Sequence, residues 1–250
     1  LPTIPLFTLA GYFLAEGGAS KRLIRVFQSL FGQFRGGTAI VTALVCAFFT
    51  SFTGASGVTI LALGGLLMPV LLAAKYSEKN ALALITGAGS LGLLFPPCLP
   101  LILYAIIAKI TIKEIFLGGI IPGIIMVVLT ALWGFWVGPK DSSSSHKINW
   151  SESLSAIWDA KWELLLPVVA LVGLFGGFAT PVEAAALTAL YAFIAETIIY
   201  RDLKFKKDVI HTMTECGLLI GGVLLILGVA MGFTNYLIDA EVPARGVTWL

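Results

Sequence analysis

The sequence predicts an all-α polytopic membrane protein, and three observations carry that prediction. Hydrophobic residues make up 58% of the 250-residue chain and charged residues 12%, against roughly half and a quarter in soluble domains, an excess too large for one buried core. Apolar runs recur at 36–53, 58–73, 81–108, 115–138, 163–178, 184–200 and 213–238. Most approach the ~20 residues a helix needs to cross ~30 Å of hydrocarbon, and a lone signal peptide or anchor does not explain seven of them. Third, the basic residues gather in the loops between the runs, as they do around membrane spans.

The chain opens at Leu1 inside another apolar run, 4–14, and stops at Leu250 as a further run begins, so it reads as an internal fragment. Its formal net charge of +2 gives no reason to expect a nucleic-acid partner.

Runs 36–53 and 58–73 fit a hairpin that enters and leaves on one face, with each later run crossing once. That arrangement leaves only Lys109, Lys113 and Arg245 of the 16 basic residues on the far side, the asymmetry expected when the richer side is the cytoplasm. One continuous span over 36–73 would weaken the split. The parity does not tell whether the hairpin arms cross fully or stop midway.

Taken in order, residues 21–35 place Leu23, Ile24, Phe27, Leu30, Phe31 and Phe34 on one helical face, predicting an amphipathic helix on the membrane surface with its arginines toward lipid phosphates. The hairpin breaks at 53–59, where Gly54 and Gly57 permit a tight turn among the hydroxyls of Ser51, Thr53, Ser56 and Thr59. Non-helical backbone at membrane depth is tolerated only where it is buried in protein or lines a cavity. Carbonyls at a half-helix C-terminus suit a cation, and N–H groups at a half-helix N-terminus suit a carboxylate.

A second break at 86–100 carries Thr86, Ser90, Gly92 and the pair Pro96 and Pro97. The prolines remove two N–H donors, which predicts free carbonyls over 92–94. Glycines packing against a neighbouring helix are the competing reading for both breaks. Residues 139–162 read as a serine-rich tether, with Asp141, the serines 142–145 and His146, followed by an interfacial helix bearing Trp150, Ile157, Trp158 and Trp162.

The third break, 176–185, holds Glu183. Thr180 at N-cap, Pro181 at the first helical position and Glu183 at N3 predict a capping box rather than an ion ligand. Glu196 lies deep in an apolar run, close enough to Arg201 to reach the headgroups. Cys46, Cys98 and Cys216 show no ligand spacing and read as small buried side chains; His146 and His211 read as solvated.

Three segments together resemble the large membrane subunit of TRAP (tripartite ATP-independent periplasmic) transporters: 4–12 with Gly17 and Gly18, 51–69 followed by 89–100, and 176–191 with its Thr-Pro-Val-Glu-Ala-Ala core. The resemblance extends over essentially the whole chain. It implies an inverted-repeat, elevator-type transporter with a re-entrant helical hairpin, located in the bacterial inner membrane. Such a transporter couples Na⁺ to uptake of small organic acids of the C4-dicarboxylate, keto acid or sialic acid class. Its implied partners are a small membrane subunit, a periplasmic substrate-binding protein and membrane lipid.

On that basis 1–138 form the first repeat, with the surface helix 21–35 and the hairpin 36–73. Residues 139–162 are the cytoplasmic tether, and 163–250 are scaffold helices and the start of a second repeat without its hairpin. Gly54, Ser56, Thr59, Ser90 and Gly92 are the candidate Na⁺ residues, and Ser51, Thr53, Gly57, Pro96 and Pro97 the candidate substrate residues. Family members often carry Asp where Thr59 stands, which bears on ion number and charge coupling. A faint match of Tyr12-Phe-Leu…Lys21 to Tyr236-Leu-Ile…Arg245 agrees with inverted repeats, and by it the chain lacks half of the binding site.

Two other readings compete. One is a related hairpin-containing anion carrier that needs no binding protein. The other is an intramembrane enzyme, against which stands the lack of a paired-His zinc motif, an intramembrane Asp pair or a Ser near a buried His.

Overall fold

The computed structural model describes residues 2–32, 34, 36–139, 150–177 and 179–242. Among them every regular element is helical: α1 (Thr3–Glu16), α2 (Ala19–Phe31), α3 (Gly37–Thr53), α4 (Ser56–Ala73), α5 (Glu78–Ala88), a 3₁₀ turn (Leu91–Leu94), α6 (Leu99–Ala108), α7 (Ile112–Val137), α8 (Trp150–Asp159), α9 (Lys161–Phe175), α10 (Pro181–Ile194) with a π turn (Ala195–Ile199), and α11 (Asp208–Asp239). Arg35, Lys140, Asp141, the serines 142–145, His146, Lys147, Phe178 and Arg245 fall outside the described residues, as do 243–250.

Four helical segments are long and apolar enough to cross a membrane: α4, α7, α10 with its π turn, and α11; the bent pair α5–α6, angled at 41°, makes a fifth. The chain is a polytopic all-α membrane protein. Large apolar side chains on α7 and α11, among them Ile121, Trp136, Leu225 and Phe233, stand exposed. In water so extensive an apolar surface would drive aggregation, whereas in a bilayer it faces lipid.

At the centre lies α3, packed by α1, α2, α4, α5, α7 and the 3₁₀ turn. Its Val41, Cys46 and Ala47 are buried on different sides, as an all-round apolar helix should be. The α4 helix buries a single stripe, Thr59, Leu63, Leu67 and Leu71, spaced four apart along one face. At α1, Gly11 lets the backbone lie directly on the end of α3: a Cβ there would stand 2.6 Å from the Phe52 carbonyl carbon and the Thr53 nitrogen.

The chain ends that the charge count assigns to a common side do meet. The Tyr76 hydroxyl, between α4 and α5, donates to the Gly134 carbonyl near the end of α7 at 3.0 Å. The Lys113 ammonium, at the start of α7, stands 6.0 Å from the Phe175 ring at the end of α9.

The surface helix differs from expectation at its end and in its arginines. It stops at Phe31, is capped by Gly32, and turns through Gly36 at φ +72°, so Phe34 lies past the helix and is exposed. Both Arg22 and Arg25 are engaged by carboxylates of the protein. Arg25 pairs with Asp159 at 2.9 Å, and Arg22 enters a carboxylate cluster described below. The arginines are held by α8, α9 and the segment after α10, because α8 docks its Ala156, with Ala160, on Val26 and its Ser153 hydroxyl donates to the Ser29 carbonyl at 3.2 Å.

Candidate functional site

Gly54 ends α3 at φ +66°, a conformation that costs an L-residue but not glycine. A side chain there would also meet the Leu99 Cβ at 2.5 Å. Only glycine therefore fits both the turn and the seat of the hairpin tip on α6. This turn brings the last turn of α3 and the first turn of α4 together.

Three threonine hydroxyls converge inside it. Thr50 Oγ1 lies 2.9 Å from Thr59 Oγ1 and donates to the Gly89 carbonyl at 2.8 Å. Thr53 Oγ1 is 3.1 Å from Thr59 Oγ1. Thr59 and Thr53 also reach the Ala55 carbonyl, at 3.4 and 3.5 Å. All three threonines are buried, so the cluster is a dry set of three hydroxyls and two carbonyls at the meeting of three helix ends: α3 and α5 by their C-termini, α4 by its N-terminus.

Two helix C-termini contribute partial negative charge there. Hydroxyl and carbonyl oxygens are hard donors suited to alkali and alkaline-earth cations rather than to thiophilic metals. Among the described residues no group of three His, Cys, Asp or Glu side chains could hold a metal ion. The first turn of α4 has no capping side chain, which leaves its N–H groups at Ser56 and Gly57 available to an acceptor.

The predicted residues divide. Thr53 and Thr59 belong to the oxygen cluster and Gly54 makes its turn, while Ser56 is half-buried beside it and Gly57 is exposed with open space where a Cβ would stand. Ser51 does not join them: its hydroxyl donates to the Phe48 carbonyl at 2.8 Å. It lines a cavity of about 520 Å³ whose other walls, including Phe27, Phe48, Phe95 and Val127, are apolar.

The second break is built for packing. A Cβ on Gly92 would stand 2.3 Å from the Ala47 carbonyl oxygen and 2.4 Å from the Ser51 nitrogen, so Gly92 is the point where the 3₁₀ turn presses on the α3 backbone. The expectation of free carbonyls fails at Gly92 and Leu93. The former accepts from the Phe95 N–H at 3.1 Å and the latter from the Cys98 thiol. Ser90 is exposed and donates to the Gly87 carbonyl, and Thr86 is spent on Leu82 and Ala83 of its own helix. Pro96 and Pro97, joined by a cis peptide bond, shape the bend between α5 and α6.

Sequence reasoning missed Thr50, Gly89 and Ala55. Thr50 precedes Thr53 by three positions and so shares its helical face, a signal that was there to use. Gly89 closes α5 where the second break begins, and no spacing rule predicts its carbonyl beside Thr50.

At the third break the capping box forms. The Glu183 N–H donates to Thr180 Oγ1 at 3.3 Å and the Thr180 N–H to Glu183 Oε2 at 2.7 Å, leaving Glu183 a structural role. His211 is exposed, and the three cysteines are buried and unpaired. Glu196 departs from expectation. It is fully buried and, instead of reaching headgroups, accepts from Arg22 Nη2 at 3.3 Å. Arg22 also bonds Glu163, likewise fully buried, and Asp202 at 2.7 Å.

The sequence family described as "Tripartite ATP-independent periplasmic transporter, DctM component" matches residues 1–250. The chain is 36% identical over 214 residues to the C4-dicarboxylate TRAP transporter large permease protein DctM of Vibrio cholerae, covering 85% of this chain and 47% of that one. It is 32% identical to the ectoine/5-hydroxyectoine TRAP transporter large permease protein UehC of Ruegeria pomeroyi, over 98% and 57% of the two chains. To the isethionate TRAP transporter permease protein DctMQ of Oleidesulfovibrio alaskensis it is 32% identical, over 96% and 38%. The chain spans about half the length of the curated relatives it matches.

Proposed function

The chain belongs to the DctM family of TRAP transporter components, and from that premise we propose that it supplies the first hairpin and a Na⁺ site of a secondary active transporter for small organic acids. The observation that carries the proposal is the dry cluster formed by the Thr50, Thr53 and Thr59 hydroxyls with the Gly89 and Ala55 carbonyls.

Na⁺ enters by prising these oxygens from one another and replacing their mutual hydrogen bonds with its own charge. With no carboxylate in the set, the bound ion keeps its full positive charge. That charge draws a substrate carboxylate toward the neighbouring uncapped N–H groups of α4 at Ser56 and Gly57. Substrate class is set outside the cluster: the relatives' names range from C4-dicarboxylate to ectoine and isethionate.

The hairpin is re-entrant on this reading, supported by its tip seating on the break between α5 and α6 rather than beyond it. The basic face is cytoplasmic, in the bacterial inner membrane. A small membrane subunit and a periplasmic binding protein complete the transporter, with a separate or fused small subunit equally compatible with the sequence. The hairpin moves as part of an elevator-type transport domain, against a scaffold that includes α9 and α10.

The test is the melting temperature of the full-length gene product in detergent, in NaCl against KCl and choline chloride at equal ionic strength. Binding to the folded state raises stability by about 2.7 kcal/mol when the ligand is at about a hundred times its dissociation constant. A Na⁺-specific rise that disappears in Thr59→Ala supports the site. An equal response to all three salts sinks it.

A further inference from the structure

The buried charges around Arg22 do not balance. Glu163 and Glu196 are each fully buried and each give one oxygen to the same guanidinium: Glu163 Oε1 to Nε, Glu196 Oε2 to Nη2. Asp202, one-third exposed, takes Nη1 at 2.7 Å and is further held by the Gly18 N–H at 3.1 Å. The Tyr200 ring covers the guanidinium, its centroid 3.7 Å from Cζ. Thus one positive charge serves two fully buried carboxylates and a third at the rim.

The second oxygen of each glutamate, Glu163 Oε2 and Glu196 Oε1, is buried and has no hydrogen-bond partner. The two side chains are near enough to interact with each other as well as with Arg22. An ionised carboxylate oxygen left so is among the most costly groups to bury, and two like charges in one dry site do not both stay ionised. The backbone has been fitted around them. Gly17 leaves room for Glu196, since a Cβ there would stand 2.2 Å from Oε2, and Glu196 is carried on a π turn, an irregularity frequent at functional positions.

We propose that Glu163 and Glu196 bind one proton between them at neutral pH, forming with Arg22 a proton-binding latch that ties α2 to α9 and α10. The proton turns an orphaned acceptor into a donor toward the other glutamate and reduces the buried charge to one carboxylate against one guanidinium. The titratable groups facing it are Arg22 from α2, Glu163 from α9, Tyr191 from α10, and Glu196, Tyr200 and Asp202 from the end of α10 and the turn after it. This inference does not rest on the Na⁺ reading, since it involves none of those oxygens.

Infrared spectroscopy of the full-length gene product near pH 7 tests it. A carbonyl stretch of a protonated carboxylic acid, shifting in D₂O, is expected in the wild type and in Asp202→Asn and absent from Glu196→Gln and Glu163→Gln. No protonated-carboxyl band in the wild type overturns the proposal. So does a band that survives both substitutions, or one that added Na⁺ removes at constant pH, which would assign the oxygens to a metal cation. If Glu163→Gln does not fold, the wild type and Glu196→Gln still decide it.

Discussion

The two breaks in the first half of the chain look alike in sequence and do opposite work. Each joins glycines to hydroxyl side chains within an apolar run. In the first, Thr50, Thr53 and Thr59 turn inward and share their hydrogen bonds across the gap between two helices. In the second, Ser90 and Thr86 are spent on carbonyls of their own turn, and it is the glycine, Gly92, that matters, because it lets one backbone touch another. The difference shows that a hydroxyl in a membrane segment signals a site only when its own helix does not consume it. Whether it is consumed depends on how the chain turns next.

That contrast can be broken in graded ways. The largest effect should come from Gly92→Ala, whose new Cβ meets the Ala47 and Ser51 backbone and cannot be relieved by a rotamer change. A loss of about 3 kcal/mol, the upper end for overpacking against backbone, is expected, read as a lowered melting temperature irrespective of salt. Should Gly92→Ala melt like the wild type, the second break is not a packing point.

Thr50→Val is expected to act differently. It removes one oxygen and leaves the Gly89 carbonyl unpaired, at a cost of about 1–3 kcal/mol, and it should also abolish any difference between NaCl and choline chloride. Thr59→Ser, which keeps the oxygen, should preserve the salt response that Thr59→Val loses. Equal behaviour of the two would detach the response from the hydroxyl. The smallest effect belongs to Ser90→Ala, within about 0.5 kcal/mol and with the Na⁺ response unchanged; loss of that response would return Ser90 to the site.

Much of the architecture was legible because it follows from local pattern. The apolar runs mark α3, α4, α7, α9, α10 and α11, Gly54 marks the hairpin turn, and Thr180 with Glu183 marks the start of α10 down to its individual hydrogen bonds. The apolar spacing alone extends the surface helix too far, because Phe34 continues it although Gly32 and Gly36 have already turned the chain. At the site, the turn at Gly54 and its hydroxyls are legible, but Thr53, expected among the substrate residues, instead lies 3.1 Å from Thr59 in the oxygen cluster, and Thr50 reads as part of an apolar arm. The Arg22 cluster was not legible at all. Its partners lie 141, 174 and 180 positions away, and a basic residue on an amphipathic helix reads as lipid-facing until the fold delivers three carboxylates to it.

Gly11 and Gly17 sit on one helix and its cap, about 9 Å apart along the axis at 1.5 Å per residue. The first touches the tip that carries the threonine oxygens, and the second touches Glu196. Between them α1 acts as a short rigid spacer whose length is fixed by covalent geometry, bearing at one position on the oxygen cluster and at the other on the carboxylates. A methyl group added at Gly11 would meet the α3 backbone, and one added at Gly17 the Glu196 carboxylate, so the two ends of this one spacer each set the clearance of a different cluster.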